Sequence, residues 1–167
     1  MSDILVDLLI EDDRWNGVDL QACADRALAS VVGGLGLSDG AYEVSCLACD
    51  DARIATLNAD FRDKPTPTNV LSWPSVERRP DVAGARPVPA EPGELGDLAI
   101  AFETCTHEAK TQGLDVSDHV THLLVHGMLH LLGYDHETDE DATLMEGLET
   151  ELLAKMGIAD PYGDERV

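Results

Sequence analysis

Residues 126 to 136 read HGMLHLLGYDH, and no other stretch of the 167-residue chain narrows its possible folds as much. On an α-helix His126 and His130 stand one turn apart, at ~100° per residue, so both imidazoles share a face and can grip one cation. Gly133 permits the left-handed turn that ends such a helix and brings His136 back against the same face as a third donor. Three histidines leave a fourth position open, the form of catalytic rather than closed structural zinc sites. Imidazole donors suit Zn, Ni, Cu or Fe, so one transition metal is expected at His126, His130 and His136, with zinc the leading choice. His122 and His119 lie on the same stripe one and two turns earlier, as pocket-wall or half-exposed residues, whereas His107 falls on another helix and is expected to be exposed.

Around this block the chain alternates strand and helix signals. Ile4 to Ile10 is an apolar run consistent with a buried strand. From Leu20, apolar residues at Cys23, Ala24, Ala27, Leu28 and Val31 trace one helical face, stopped by Gly33 and Gly34. Tyr42 to Ala48 is a second strand, and Asp50 or Asp51 caps a helix with Ile54, Leu57 and Phe61 on one stripe. Asn69 to Trp73 and Leu98 to Ala101 are the third and fourth strands. Residues 102 to 112 form a helix closed by Gly113, Ser117 or Asp118 caps the histidine helix, and Thr138 opens a last one with Leu144, Met145, Leu148, Leu152 and Met156 on its buried stripe. Residues 74 to 93 hold five of the eight prolines, a long loop of the kind that is usually functional or mobile. With no repeat and no boundary, residues 1–167 are expected to be one domain built on one sheet, of α+β or α/β class.

The 33 acidic against 11 basic residues, a net charge of -22, disfavour non-specific attraction to nucleic acid or anionic lipid. No apolar run approaches the ~20 residues of a membrane span, and the N-terminal stretch lacks the basic segment of a signal peptide, so no membrane partner and a cytoplasmic location are expected. Four scattered cysteines fit a reducing compartment. Cys46 and Cys49 form a C-x-x-C, but on a strand residues three apart point to opposite faces and do not share a ligand.

The histidine spacing matches the metzincin peptidase signature H-E-x-x-H-x-x-G-x-x-H, a zincin-like site, except that Gly127 replaces the glutamate. Glycine takes no proton from water, so the general base of that peptidase mechanism is missing. Phosphodiester chemistry at a metal site asks instead for a cation to stabilise developing charge, for which a planar guanidinium is suited. The one basic neighbourhood is residues 61 to 90, with Arg62, Lys64, Arg78, Arg79 and Arg86 against three acids, and it is expected to face phosphate.

Three blocks, HLLVHGMLHLLGYDHE (residues 122–137), LNADFRDKPTPTNVLSWP (57–74) and LGDLAI (95–100), closely resemble the YbeY family of rRNA maturation endoribonucleases, and the resemblance runs from about residue 50 to 157. It implies a mixed four-stranded sheet flanked by helices, an α+β fold. It also implies a zinc-dependent endoribonuclease that prefers single strands and acts in 16S rRNA 3′-end maturation and ribosome quality control. By the family's pattern His126, His130 and His136 bind the zinc and Arg62 is the catalytic arginine. The implied partners are single-stranded or precursor ribosomal RNA and the ribosome or its proteins, not DNA. Asn69 stands where many members have Asp, and Trp73 where many have Phe. Two other readings remain at this point: a ribosome assembly factor with a mainly structural metal, and a metal-dependent hydrolase of another substrate.

Overall fold

A computed structural model describes residues 2–162, apart from the side chains of Phe61 and Arg62. Strand β1 (Asp3–Ile10), helix α1 (Leu20–Gly34), β2 (Ala41–Cys49), α2 (Asp51–Arg62), β3 (Val70–Pro74), β4 (Gly93–Ala101), α3 (Phe102–Gln112), α4 (Val116–Leu131) and α5 (Asp139–Lys155) follow in order. The sheet runs β1-β2-β4-β3, with β1/β2 and β2/β4 parallel and β3/β4 antiparallel. This is the mixed four-stranded α+β sheet expected, and β3 forms one of its edges.

Local chemistry explains most boundaries. The side chains of Asp50 and Thr138 accept the N–H groups of Arg53 and Asp141, the orphan donors of α2 and α5. Gly113 ends α3 in the left-handed region at φ 68°. The cap of helix α4 is Asp115, two residues before Ser117 and three before Asp118; it accepts the N–H of Asp118, leaving Asp118 in the first turn where the helix dipole favours a negative charge. Two strand expectations also need correction. β1 is an edge strand rather than a buried one: Val6 is buried but Leu5 and Leu9 are 56% and 64% exposed, because the main core meets only the face of Ile4, Val6 and Leu8. β4 starts at Gly93, five residues early, since parallel pairing with Tyr42 and Glu43 extends it through a register shift that weak local propensity does not signal.

The main core lies where α1, α4 and α5 cover one face of the sheet; Leu28, Leu124, Met128 and Leu129 are fully buried, each stabilising the fold by about 2 kcal/mol. A smaller cluster of Ile54, Leu71, Ala99 and Ala101 forms beneath α2 on the opposite face. Cys46 belongs to the first cluster and Cys49 to the second, so the C-x-x-C is split across the sheet as its spacing requires. Burial pushes both thiols up to about 12, which leaves them protonated and inert.

Helix α4 rests on the sheet at Gly127, where a Cβ would stand 2.9 Å from Leu98 Cδ2 and 3.4 Å from Val70 Cγ2. The position that carries glutamate in the peptidase signature is therefore buried against β4 and β3. Gly127→Glu should destabilise the protein by ~3 kcal/mol or more in denaturant titration, through overpacking and a buried unpaired carboxylate. A loss below ~1 kcal/mol would show that the helix does not need this close approach.

Candidate metal centre

The last turns of α4 and the turn after it bring His126, His130 and His136 together, with one donor nitrogen from each within 4.8 Å of the others. Nε2 of His126 and Nε2 of His130 are 3.1 Å apart. Two nitrogens bound to one tetrahedral ion by bonds of ~2.0–2.1 Å are separated by about 3.3 Å, so the pair is already spaced for a shared cation. His130 is partly buried, and burial, reinforced by the neighbouring His126 and His136, lowers its pKa to about 4. At neutral pH its imidazole is uncharged, the form that ligates. The donor set fits a borderline-soft transition metal.

Behind the histidines lies a residue that the sequence reading did not single out. Glu149 of α5 is wholly buried, and its Oε1 accepts from Nδ1 of His126 at 2.9 Å and from Nε2 of His122 at 3.0 Å, while Oε2 accepts the Tyr162 hydroxyl at 2.9 Å. Burial alone would raise this carboxyl, but the hydrogen bonds from His122 and His126 outweigh it and hold the pKa near 2. With Nδ1 of His126 committed to the carboxylate, Nε2 is left as the lone pair that faces His130. The signal was present: Glu149 falls on the apolar stripe of α5 between Leu148 and Leu152, where an unpaired charge would be costly. Tyr162 carried no such signal.

The remaining histidines separate. His122 supports Glu149 from behind and does not line the cleft in front of the centre. His119 is buried away from the three, its Nε2 2.9 Å from Glu108 Oε1, and it ties α4 to α3. His107 is exposed, as expected. Asn69 gains a clear role: its Nδ2 donates to both Glu108 oxygens at 3.2 and 3.3 Å, and its Oδ1 accepts from the N–H of Val70. An aspartate here would put a second carboxylate against Glu108, so the amide belongs to this chain's own arrangement.

A cleft of about 750 Å³ opens in front of the centre, walled by residues 68–77 along β3, by Arg79, and by the turn 133–137. The basic neighbourhood does not present itself there as a free patch. Arg78 turns inward to the carbonyls of Leu131 and Leu95, and Arg79 pairs with Asp135 and Glu137. These arginines brace an acidic turn instead of standing ready for phosphate. The side chain of Arg62, the expected catalytic arginine, lies outside the described residues; the backbone of α2 ends there, and six residues on Thr68 enters the cleft wall.

A mixed α+β sheet, a histidine helix crossing one of its faces and three convergent imidazoles in an open cleft define a protein of the three-histidine metal-site class. The family model described as Endoribonuclease YbeY matches residues 9–157, and the chain belongs to the YbeY family. It is similar to Endoribonuclease YbeY of Dinoroseobacter shibae, 56% identical over 162 residues covering 94% of this chain and 90% of that one. It is also similar to that of Paracoccus denitrificans, 57% identical over 157 residues, with 94% and 89% covered. The solution structure of TM1509 from Thermotoga maritima shares the fold, with a TM-score of 0.61 at 21% identity over 97% of this chain and 92% of that one.

Removing the carboxylate should loosen the centre. Glu149→Ala leaves His122 and Tyr162 without their buried partner and should cost ~3 kcal/mol in thermal or denaturant unfolding. Zinc affinity, measured by chelator competition, should fall at least ~10-fold. Unchanged affinity would mean that Glu149 does not orient His126.

Proposed function

We propose that this chain is a zinc-dependent endoribonuclease that cuts single-stranded regions of precursor ribosomal RNA, working in the cytoplasm at the ribosome. The observation that carries the reading is the convergence of His126, His130 and His136 at one end of an open cleft, in a chain whose relatives bear the name endoribonuclease. Among the described residues no helix is long and apolar enough to cross a membrane.

His126, His130 and His136 would hold the zinc, which when bound supplies Lewis acidity toward a phosphoryl oxygen. Glu149 keeps His126 in one tautomer, and the burial of His130 keeps it neutral. The edge strand β3 lines the cleft along residues 70–74, a wall suited to an extended strand. Gly127, packed against Leu98, provides no carboxylate to act as the base of a metzincin-like peptidase, so peptide hydrolysis by that route is not expected. Arg62 is assigned to the phosphate on the strength of the family pattern and its place at the end of α2, close in sequence to the cleft wall. A guanidinium binds phosphate oxygens bidentately, and the cleft wall carries the acidic Glu77, Asp135 and Glu137.

The test is cleavage of a single-stranded RNA by highly purified protein. Arg62→Ala should retain its metal and its folding transition but cut on the order of 100-fold more slowly, the loss of ~3 kcal/mol of transition-state stabilisation. His126→Ala should lose both metal and cleavage. Near wild-type rates in both variants would assign the activity to a contaminant and leave an assembly factor as the better account.

A further inference from the structure

The three imidazoles are not equally held. His126 and His130 ride on α4, whereas His136 sits exposed in the turn beyond it, where Gly133 takes φ 102°. Gly133 and Tyr134 donate their N–H groups back to His130 and Leu129 of α4, and beyond them the turn is held by the proline-rich loop between β3 and β4. Arg78 donates from Nη1 to the carbonyl of Leu131 at 2.9 Å and to that of Leu95 at 3.2 Å, joining the end of α4 to β4. Its own carbonyl runs so close to Gly133 that a Cβ there would lie 2.4 Å from the oxygen. The next residue, Arg79, donates from Nη1 to Asp135 Oδ2 at 3.1 Å and to Glu137 Oε2 at 3.3 Å. Asp135 uses its other oxygen to accept the N–H of His136 at 2.8 Å.

The residues on either side of His136 are thus gripped by one guanidinium, and the start of the turn by its neighbour. We propose that Arg78 and Arg79 are positioning residues, a clasp that sets His136 in its ligating place before metal arrives. The inference rests on the reading of the three histidines as a metal centre. Its physical basis is preorganisation: a ligand on an unbraced turn must be ordered by the metal, and that ordering is subtracted from the affinity. Arg79 reaches His136 only through neighbouring carboxylates, and an exposed ion pair of this kind is worth at most about a few-fold in affinity.

Zinc affinity is to be measured by chelator competition on the full chain, as wild type and as Arg79→Ala, Arg79→Lys, Asp135→Asn, the Arg79→Ala/Asp135→Asn double variant, and Arg14→Ala. Arg14→Ala removes the same charge from an ion pair with Asp12 and Glu103, remote from the centre. Arg79→Ala should bind zinc ~2- to 5-fold more weakly, the scale of an exposed ion pair. Arg79→Lys should recover part of the loss, Arg14→Ala should match wild type, and the double variant should be no weaker than Arg79→Ala, because Arg79 acts through the carboxylates. In the metal-free protein the His136 amide should exchange with solvent faster in Arg79→Ala than in wild type. Equal zinc affinity in Arg79→Ala and wild type would overturn the clasp, and so would an effect confined to the KM for RNA, which would make Arg79 a substrate contact. A wild type that binds no zinc would refute the metal centre itself, and the exchange of the His136 amide would still decide the clasp, with equal rates overturning it.

Discussion

The buried carboxylate of Glu149 is the interaction on which the rest of the centre depends. A negative charge with no exposure is tolerated because two imidazoles and a phenol donate to it. The same bonds weld α5 to the ligand face of α4 and choose which nitrogen of His126 looks into the cleft. One residue therefore acts at three levels: it satisfies a packing seam, fixes a tautomer and aims a donor atom.

Around that seam the fold sets rigid and adaptable parts side by side. Helix α4 is pressed on the sheet at Gly127, so the first two imidazoles are carried by a packed element; the third is on an exposed turn that borrows its order from the loop above it. The cleft runs along the edge strand β3, which forms one wall, and an acidic, arginine-braced turn forms the other. For a chain of net charge -22, an RNA strand in that cleft needs local compensation, since attraction to polyanions rests on several basic contacts.

Much of this was written in local sequence. His126 and His130 at one helical turn, with Gly133 before His136, placed the centre because the spacing is itself geometry. The caps at Asp50 and Thr138 and the stop at Gly113 were legible for the same reason: each is a bond or a dihedral made within a few residues. What stayed hidden was made by distant partners. Nothing near Leu5 and Leu9 says that their side of β1 goes uncovered, and the early start of β4 comes from pairing with β2. Arg78 and Arg79 look alike in sequence, yet one turns to backbone carbonyls and the other to carboxylates, a distinction created where the loop meets α4. Glu149 was one among 33 acidic residues until its place on an apolar stripe is weighed. Asn69 makes sense once Glu108, on another helix, stands beside it.

The central claim is that these three imidazoles, and no cysteine, hold a single catalytic metal with a position left open. Zinc K-edge X-ray absorption on the zinc-loaded protein tests it most directly. The account predicts a first shell of three imidazole nitrogens at ~2.0–2.1 Å completed by a light oxygen donor, losing one nitrogen in His136→Ala. A sulfur scatterer at ~2.3 Å, or a shell unchanged by His136→Ala, would contradict it.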